Sequence, residues 1–259
     1  MPPISLNRRR FLGCSAASLA LSHGPLTAQQ TAAAGGPLKP VRVGLIGVGN
    51  RGTTLLRTLL ELPETIIPVV CDPEPRHRAR GQGIVEKARG QRPEAVEDPR
   101  RLIERTDLDA VVVAVPCDLH ESITTDAIRA GKHLYAEKPL ALTPAGCDRL
   151  ILESRKAPEI AVHVGFQRRS NPRFREGVGR VLDGELGSLI EARASWTSSN
   201  GPLMGHDGWL GSRRRSGDFM VEQAVHIWDV LNWIQGGRPS RPSAGAVAAS
   251  SPRLNRPAT

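Results

Sequence analysis

Glu137-Lys138-Pro139 and the stretch from Glu222 to His226, Glu-Gln-Ala-Val-His, carry the side chains best suited to moving a proton. Taking a hydride from a carbinol carbon requires a base for the hydroxyl proton. His226 titrates in the useful range for that task. Lys138 supplies positive charge where an alkoxide develops and can pass a proton on. Glu222 stands four residues before His226, so on one helix the two share a face. Its carboxylate can then orient the imidazole or reach a substrate. Each stretch alone says little. Glu-Lys-Pro is commonplace in loops, and a lone histidine in the amphipathic run DFMVEQAVHIWDVLNWI is more often a core or cap residue. Their joint occurrence behind a nucleotide-site signature points to a shared site.

That signature is GVGNRG at 47–52. Gly47, Gly49 and Gly52 form G-x-G-x-x-G, with Asn50 and Arg51 between the last two. The run VRVGLIGV (41–48) reads as a buried parallel strand, and NRGTTLLRTLLEL follows as an apolar-periodic helix. Such glycines serve a tight turn, backbone approach to a pyrophosphate, and helix–strand packing. The phosphates sit on the helix N-terminus. The strand TIIPVVCD ends at Asp72, twenty residues after Gly52, where an acid accepts the two ribose hydroxyls of NAD. Arg76 and Arg78 follow and could accept a 2′-phosphate, so NADP stays open as the alternative cofactor.

Strands and helices then alternate. DLDAVVVAVP (107–116) is a strand stopped by Pro116, ESITTDAIRAGK a helix ended by Gly131, and HLYAEKPLALT a strand entering a loop. Thr143 and Pro144 open a further helix, and EIAVHVGFQ is one more strand. The pattern predicts an α/β fold with a doubly wound parallel sheet. Ligands bind at the C-terminal ends of such strands. Pro116, His120, Glu137, Lys138 and Gln167 are therefore expected around one crevice with the cofactor.

The chain resembles the Gfo/Idh/MocA family of NAD(P)-dependent oxidoreductases. The resemblance is carried by GVGNRG (47–52), AVPCDLH (114–120), AGKHLYAEKPLA (130–141), VGFQRRSNP (164–172) and SGDFMVEQAVHIWDVLNWIQGG (216–237). It implies that Lys138 lies beside the nicotinamide and the reacting hydroxyl, that His226 is the acid/base, and that Arg168 and His226 meet the substrate. The family often has Asp where this chain has Glu222. It also implies a sugar, cyclitol or related polyol as substrate and a second domain built on an open antiparallel sheet. A periplasmic enzyme of this kind, which cannot readily exchange spent NADH, is expected to hold its cofactor tightly. Of four tryptophans, Trp196, Trp228 and Trp233 read as core, whereas the Gly-flanked Trp209 could stack on a sugar ring. Two further readings remain: NAD-dependent glycoside cleavage by transient oxidation, and a non-catalytic nucleotide-binding remnant.

Organisation follows from composition. The 259 residues carry a formal charge of +9 and are 39% apolar. Seven of the nine excess charges are arginines in 1–38 and 238–259, stretches without acids. The remainder, near +2, does not suit a phosphate-backbone binder, and no nucleic-acid partner is expected. The cysteines have no paired spacing, and no metal site is expected. Residues 1–38 read as an export signal and linker. NRRRFLG, with Arg8 and Arg9 as the pair, resembles the twin-arginine signal, with cleavage after Ala28 or near Ala34. The expected partner is the twin-arginine export machinery and the expected location is periplasmic or secreted. Because that route moves folded proteins, the chain would leave with its nucleotide aboard. Residues 39–165 form the dinucleotide-binding domain and 166–237 a partial substrate domain. That part is expected to hold one strand (GSLIEARASW) and the helix with His226. Residues 238–259 read as a disordered tail, as a truncated or frame-shifted product would have. Oligomeric state is left open.

Overall fold

The structure is a computed structural model that describes residues 39–196 and 208–236. The twin-arginine stretch, its cleavage sites and the tail 238–259 lie outside the described residues. Six strands, β1 (Val41–Ile46), β2 (Thr65–Cys71), β3 (Glu94–Val96), β4 (Ala110–Val113), β5 (His133–Ala136) and β6 (Val162–Val164), form one sheet. Its order is β3-β2-β1-β4-β5-β6, and all pairings are parallel. This is the doubly wound Rossmann arrangement, with the chain reversing its direction of travel across the sheet between β1 and β4. The crevice outside that switch point is where such sheets bind ligands.

The two faces of β1 show why the order holds. Val43 and Leu45 pack with Leu56, Val70 and Val85 on one face. Leu56 and Val85 come from α1 (Asn50–Leu60) and α2 (Pro75–Arg89). Ile46 packs with Val69, Leu102 and Ile123 on the other face, against α3 (Pro99–Ile103) and α4 (Cys117–Arg129). A parallel strand covered on both sides must be apolar throughout, which is why this run does not alternate. Gly44 gives Leu102 room, since a Cβ there would stand 2.7 Å from Leu102 Cδ2. Each fully buried leucine contributes roughly 1.5–3 kcal/mol. On α5 (Pro144–Lys156), Thr143 caps the first turn by accepting from the Gly146 N–H.

Beyond β6 the described chain is helical. A 3-10 turn at Gln167–Ser170 leads to α6 (Pro172–Leu182), capped by Asn171, whose Oδ1 accepts from the N–H groups of Arg173 and Phe174. Three further helices are α7 (Arg213–Ser216), α8 (Asp218–Glu222) and α9 (Val225–Gln235). Two expectations need correction. The stretch 187–196, expected as a strand of an open antiparallel sheet, has no regular structure. Its backbone finds no ladder partner among the described residues, and Ile190 stands fully exposed. The helix expected to carry both Glu222 and His226 is broken. Both Gln223 and Ala224 donate to the Phe219 carbonyl, which closes α8 before α9 begins.

The glycine turn after β1 yields a stability test. A Cβ on Gly52 would stand 1.9 Å from the Gly47 carbonyl oxygen, while one on Gly49 meets nothing within 4 Å. Gly52→Ala should cost on the order of 1–3 kcal/mol or more in denaturant unfolding. Gly49→Ala should stay within about 0.5 kcal/mol of the parent. Equal stabilities would show that the turn is not packed as described.

Candidate active site

The glycine turn is pinned from the protein side. Gly47, at φ 89°, is in the left-handed region, and its N–H donates to the Cys71 carbonyl at 2.8 Å. The Val48 N–H donates to Asp72 Oδ2 at 2.7 Å. The Val48 carbonyl accepts from Thr53 Oγ1 at 3.1 Å and from Arg80 Nη2. Gly49 ends the turn without a side-chain cap, and a Cβ there would meet nothing within 4 Å. An uncapped helix start with room for a backbone-close ligand fits a pyrophosphate.

Asp72 is 6% exposed. Besides the Val48 N–H, its Oδ1 accepts from the Glu74 N–H at 2.9 Å and meets His77 Nδ1 at 3.1 Å. A carboxylate has about four acceptor positions, so three are used and one remains for a ribose hydroxyl. The acid thus also clamps the glycine turn. Arg78 folds back onto the carbonyls of Asp72 and Pro73 at 2.6 and 3.0 Å. Arg76 is 80% exposed beside Glu74.

At the end of β5, Glu137 is 5% exposed. Its Oε1 accepts from Arg51 Nε at 2.7 Å and from the Tyr135 hydroxyl at 3.1 Å. Burial, followed by the Glu137 charge, pushes the Tyr135 phenol up to about 12. Lys138 turns the other way, and its Nζ donates to Glu222 Oε1 at 2.8 Å and to the Glu222 carbonyl. Both side chains are 11% exposed. Glu222 thus serves Lys138 and not His226, because the break between α8 and α9 turns its carboxylate toward β5. Glu222 Oε2 and His226 Nδ1 are buried without hydrogen-bond partners.

His226 is 5% exposed. The Trp196 indole stacks on it at 5.7 Å and 19°, and Phe166 meets it edge-on at 6.1 Å. Burial above all, with the charges of Lys138, Arg168 and Arg51, lowers its pKa to about 4. The ring is therefore neutral at physiological pH. The Arg168 guanidinium lies over Trp196, 4.5 Å from the ring centroid, and its Nη1 is buried without a partner. Burial also lowers the pKa of Arg168.

The structure brings Arg51, Glu137, Lys138, Glu222, His226 and Arg168 to one end of the sheet, and Gly47, Gly49, Asn50, Gly52 and Asp72 to the adjoining turn. Pro116 caps α4 beside them, half-buried. Gln167 opens the 3-10 turn, exposed. His120 is buried in the first turn of α4, with its Nδ1 without a hydrogen-bond partner. It is 1% exposed, its Nε2 lies 2.8 Å from the Val115 carbonyl, and burial lowers its pKa. Trp209 is half-buried, with no described contact to Lys138 or His226. Sequence reasoning missed Trp196 as the partner of His226, because nothing in its spacing separates it from the other tryptophans. The buried thiols Cys71 and Cys117, both pushed up to about 12, are inert. No group of three metal-ligating side chains occurs among the described residues.

Residues 41–166 match the oxidoreductase family with an NAD-binding Rossmann fold, Gfo/Idh/MocA. The dinucleotide-binding half of this chain belongs to that family. Among Gfo/Idh/MocA relatives, the myo-inositol 2-dehydrogenase of Thermotoga maritima is 30% identical over 198 residues, 76% of this chain and 55% of that protein. A glycosyl hydrolase family 109 protein of Shewanella pealeana is 32% identical over 169 residues, 57% of this chain and 37% of its own. The scyllo-inositol dehydrogenase of Lactobacillus casei, solved with NAD(H) and scyllo-inositol, shares the fold at a TM-score of 0.63 and 20% identity, covering 76% of this chain and 57% of that one. A 3-ketoreductase of Actinomadura kijaniata, solved with NADP, superposes at 0.66 with 25% identity, covering 76% and 58%. The chain spans about half the length of the relatives it matches. NAD is the cofactor that the Gfo/Idh/MocA fold takes, and the open cradle at Gly49 fits it.

The Lys138–Glu222 pair can be tested directly. Removing one partner of a buried ion pair leaves an uncompensated charge at a cost of about 3–5 kcal/mol. Glu222→Ala should lower unfolding free energy by that amount, and Lys138→Met/Glu222→Leu should recover most of it. A single variant as stable as the parent would show that the pair does not hold the helical segment to the sheet.

Proposed function

We propose that this protein is an NAD(P)-dependent oxidoreductase that moves a hydride to or from a cyclitol, sugar or related polyol. The observation that carries the reading is Lys138, buried and paired with Glu222 beyond the glycine cradle, beside a histidine held neutral. The nicotinamide, when bound, supplies the hydride acceptor. The chain's own residues do the rest. Neutral His226 accepts the hydroxyl proton. The Lys138 ammonium stabilises negative charge developing on the alcohol oxygen, and Glu222 holds that ammonium in place. Arg168 offers donors to the remaining hydroxyls. The stacked Trp196 must give way before a substrate reaches His226.

The twin-arginine-like stretch supports export of the folded protein to the periplasm with nucleotide aboard. There a spent cofactor is not readily exchanged, so it would be held tightly and recycled in the site. The glycosyl hydrolase family 109 match favours a second form of the same chemistry. In that form the hydride returns to the sugar after a neighbouring C–H has been acidified, and a glycosidic bond is cleaved without net nucleotide reduction.

Denaturing the purified protein should release stoichiometric NAD(H) or NADP(H), and its absence would argue against the reading. Against inositols and aldoses, kcat/KM should rise with pH through about 4 and level off below neutrality, because only the deprotonated imidazole accepts the proton. His226→Gln should cost roughly 10²–10⁴-fold in kcat. A rising limb near the ordinary histidine value, or an unaffected His226→Gln, would remove His226 from the role of base.

A further inference from the structure

Arg51 belongs to the first turn of α1, yet its guanidinium reaches past β4 to the end of β5. There Nε and Nη2 meet Glu137 Oε1 at 2.7 and 2.6 Å. Glu137 is fixed from behind, since a Cβ on Gly165 would stand 3.0 Å from its Cδ and Oε1, and the Tyr135 hydroxyl holds the same oxygen. Arg51 is the looser partner, with its side chain 46% exposed against 7% for Glu137. The pair therefore lies between the glycine cradle and the proton-transfer residues. A dinucleotide with its phosphates on the cradle and its reactive ring at Lys138 has to run alongside it.

That ring changes charge during the reaction, being cationic when oxidised and neutral when reduced. Any net charge beside it favours one redox state. An unpaired carboxylate would hold the cationic ring more tightly, and an unpaired guanidinium would repel it. A closed ion pair nearly cancels both fields. Resting on the oxidoreductase reading, we infer that the Arg51–Glu137 ion pair sets the relative affinity for oxidised and reduced nucleotide. It is a positioning and tuning device for hydride transfer, outside the proton-transfer group itself. Opening it from either side shifts the balance in opposite directions.

The test measures Kd for NAD+ and for NADH, by titration of the full chain stripped of nucleotide, in Arg51→Met, Glu137→Gln and the double variant. A unit charge in a partly screened cleft should change the ratio of the two constants on the order of tenfold. Arg51→Met should favour NAD+ by that factor and Glu137→Gln should favour NADH. The double variant should return to within about threefold of the parent. Tenfold corresponds to ~30 mV for a two-electron couple. A purely structural role would weaken both nucleotides alike and leave the ratio unmoved. Ratios that stay fixed, or move the same way in both single variants, overturn the inference while leaving the cofactor reading intact. Binding of neither nucleotide by the parent overturns both. Arg51→Gln replaces Arg51→Met should the latter fail to fold.

Discussion

The Lys138–Glu222 ion pair is the constraint on which the site depends. Lys138 follows β5, which buries Leu134 and Ala136 on one face, and its side chain, 11% exposed, leaves the C-terminal end of the strand. A cation there needs a counter-charge. That counter-charge comes from α8, on a segment that shares no strand with the sheet. The same contact therefore holds the ammonium at the end of β5, draws the short helices of 213–235 against the crevice, and seats His226 one turn beyond. A second tie, Arg215 to Asp118 at 3.1 Å, fastens α7 to the first turn of α4.

The electrostatics follow from this arrangement. Lys138 and Arg51 each have a carboxylate, while Arg168 is sandwiched between Trp196 and Phe174 without one among the described residues. The local field is positive. Burial above all, with the charges of Lys138, Arg168 and Arg51 adding to it, disfavours protonation of His226. The same field favours negative charge on a substrate oxygen. Glu137 and Glu222, on either side of Lys138, thus have separate duties. One neutralises the glycine-loop arginine and the other neutralises the lysine.

The sheet was legible because its central strands are short, predominantly apolar runs bounded by glycine, proline or acid. VRVGLI, TIIPVVC and AVVV could form little else. β3 escaped notice because three residues, Glu94–Val96, leave no pattern. The helix Pro75–Arg89 escaped because it buries only Gly81 and Val85 and presents no apolar stripe. The glycine turn and Asp72 were legible from spacing, while Lys138 and His226 stand out by their chemistry and by the family resemblance. The partners of Asp72 and Glu222 were not legible, because they depend on how the turn folds back and where a helix breaks. The run 187–196 has strand-like composition, but a strand exists only against a neighbour, and local sequence does not record whether one is present. Trp196 stacks on His226 through tertiary placement alone.

The central claim is that the crevice transfers hydride directly between a polyol carbon and the nicotinamide. The most direct measurement uses myo-inositol and aldoses carrying deuterium on the carbinol carbons. Each is incubated with the NAD-loaded protein, and the nucleotide is then released by denaturation and weighed by mass spectrometry. The account expects deuterium on the reduced nicotinamide with at least one of these substrates, and its loss in Lys138→Met. Nucleotide that stays unlabelled with every substrate, or label that does not depend on Lys138, would contradict it.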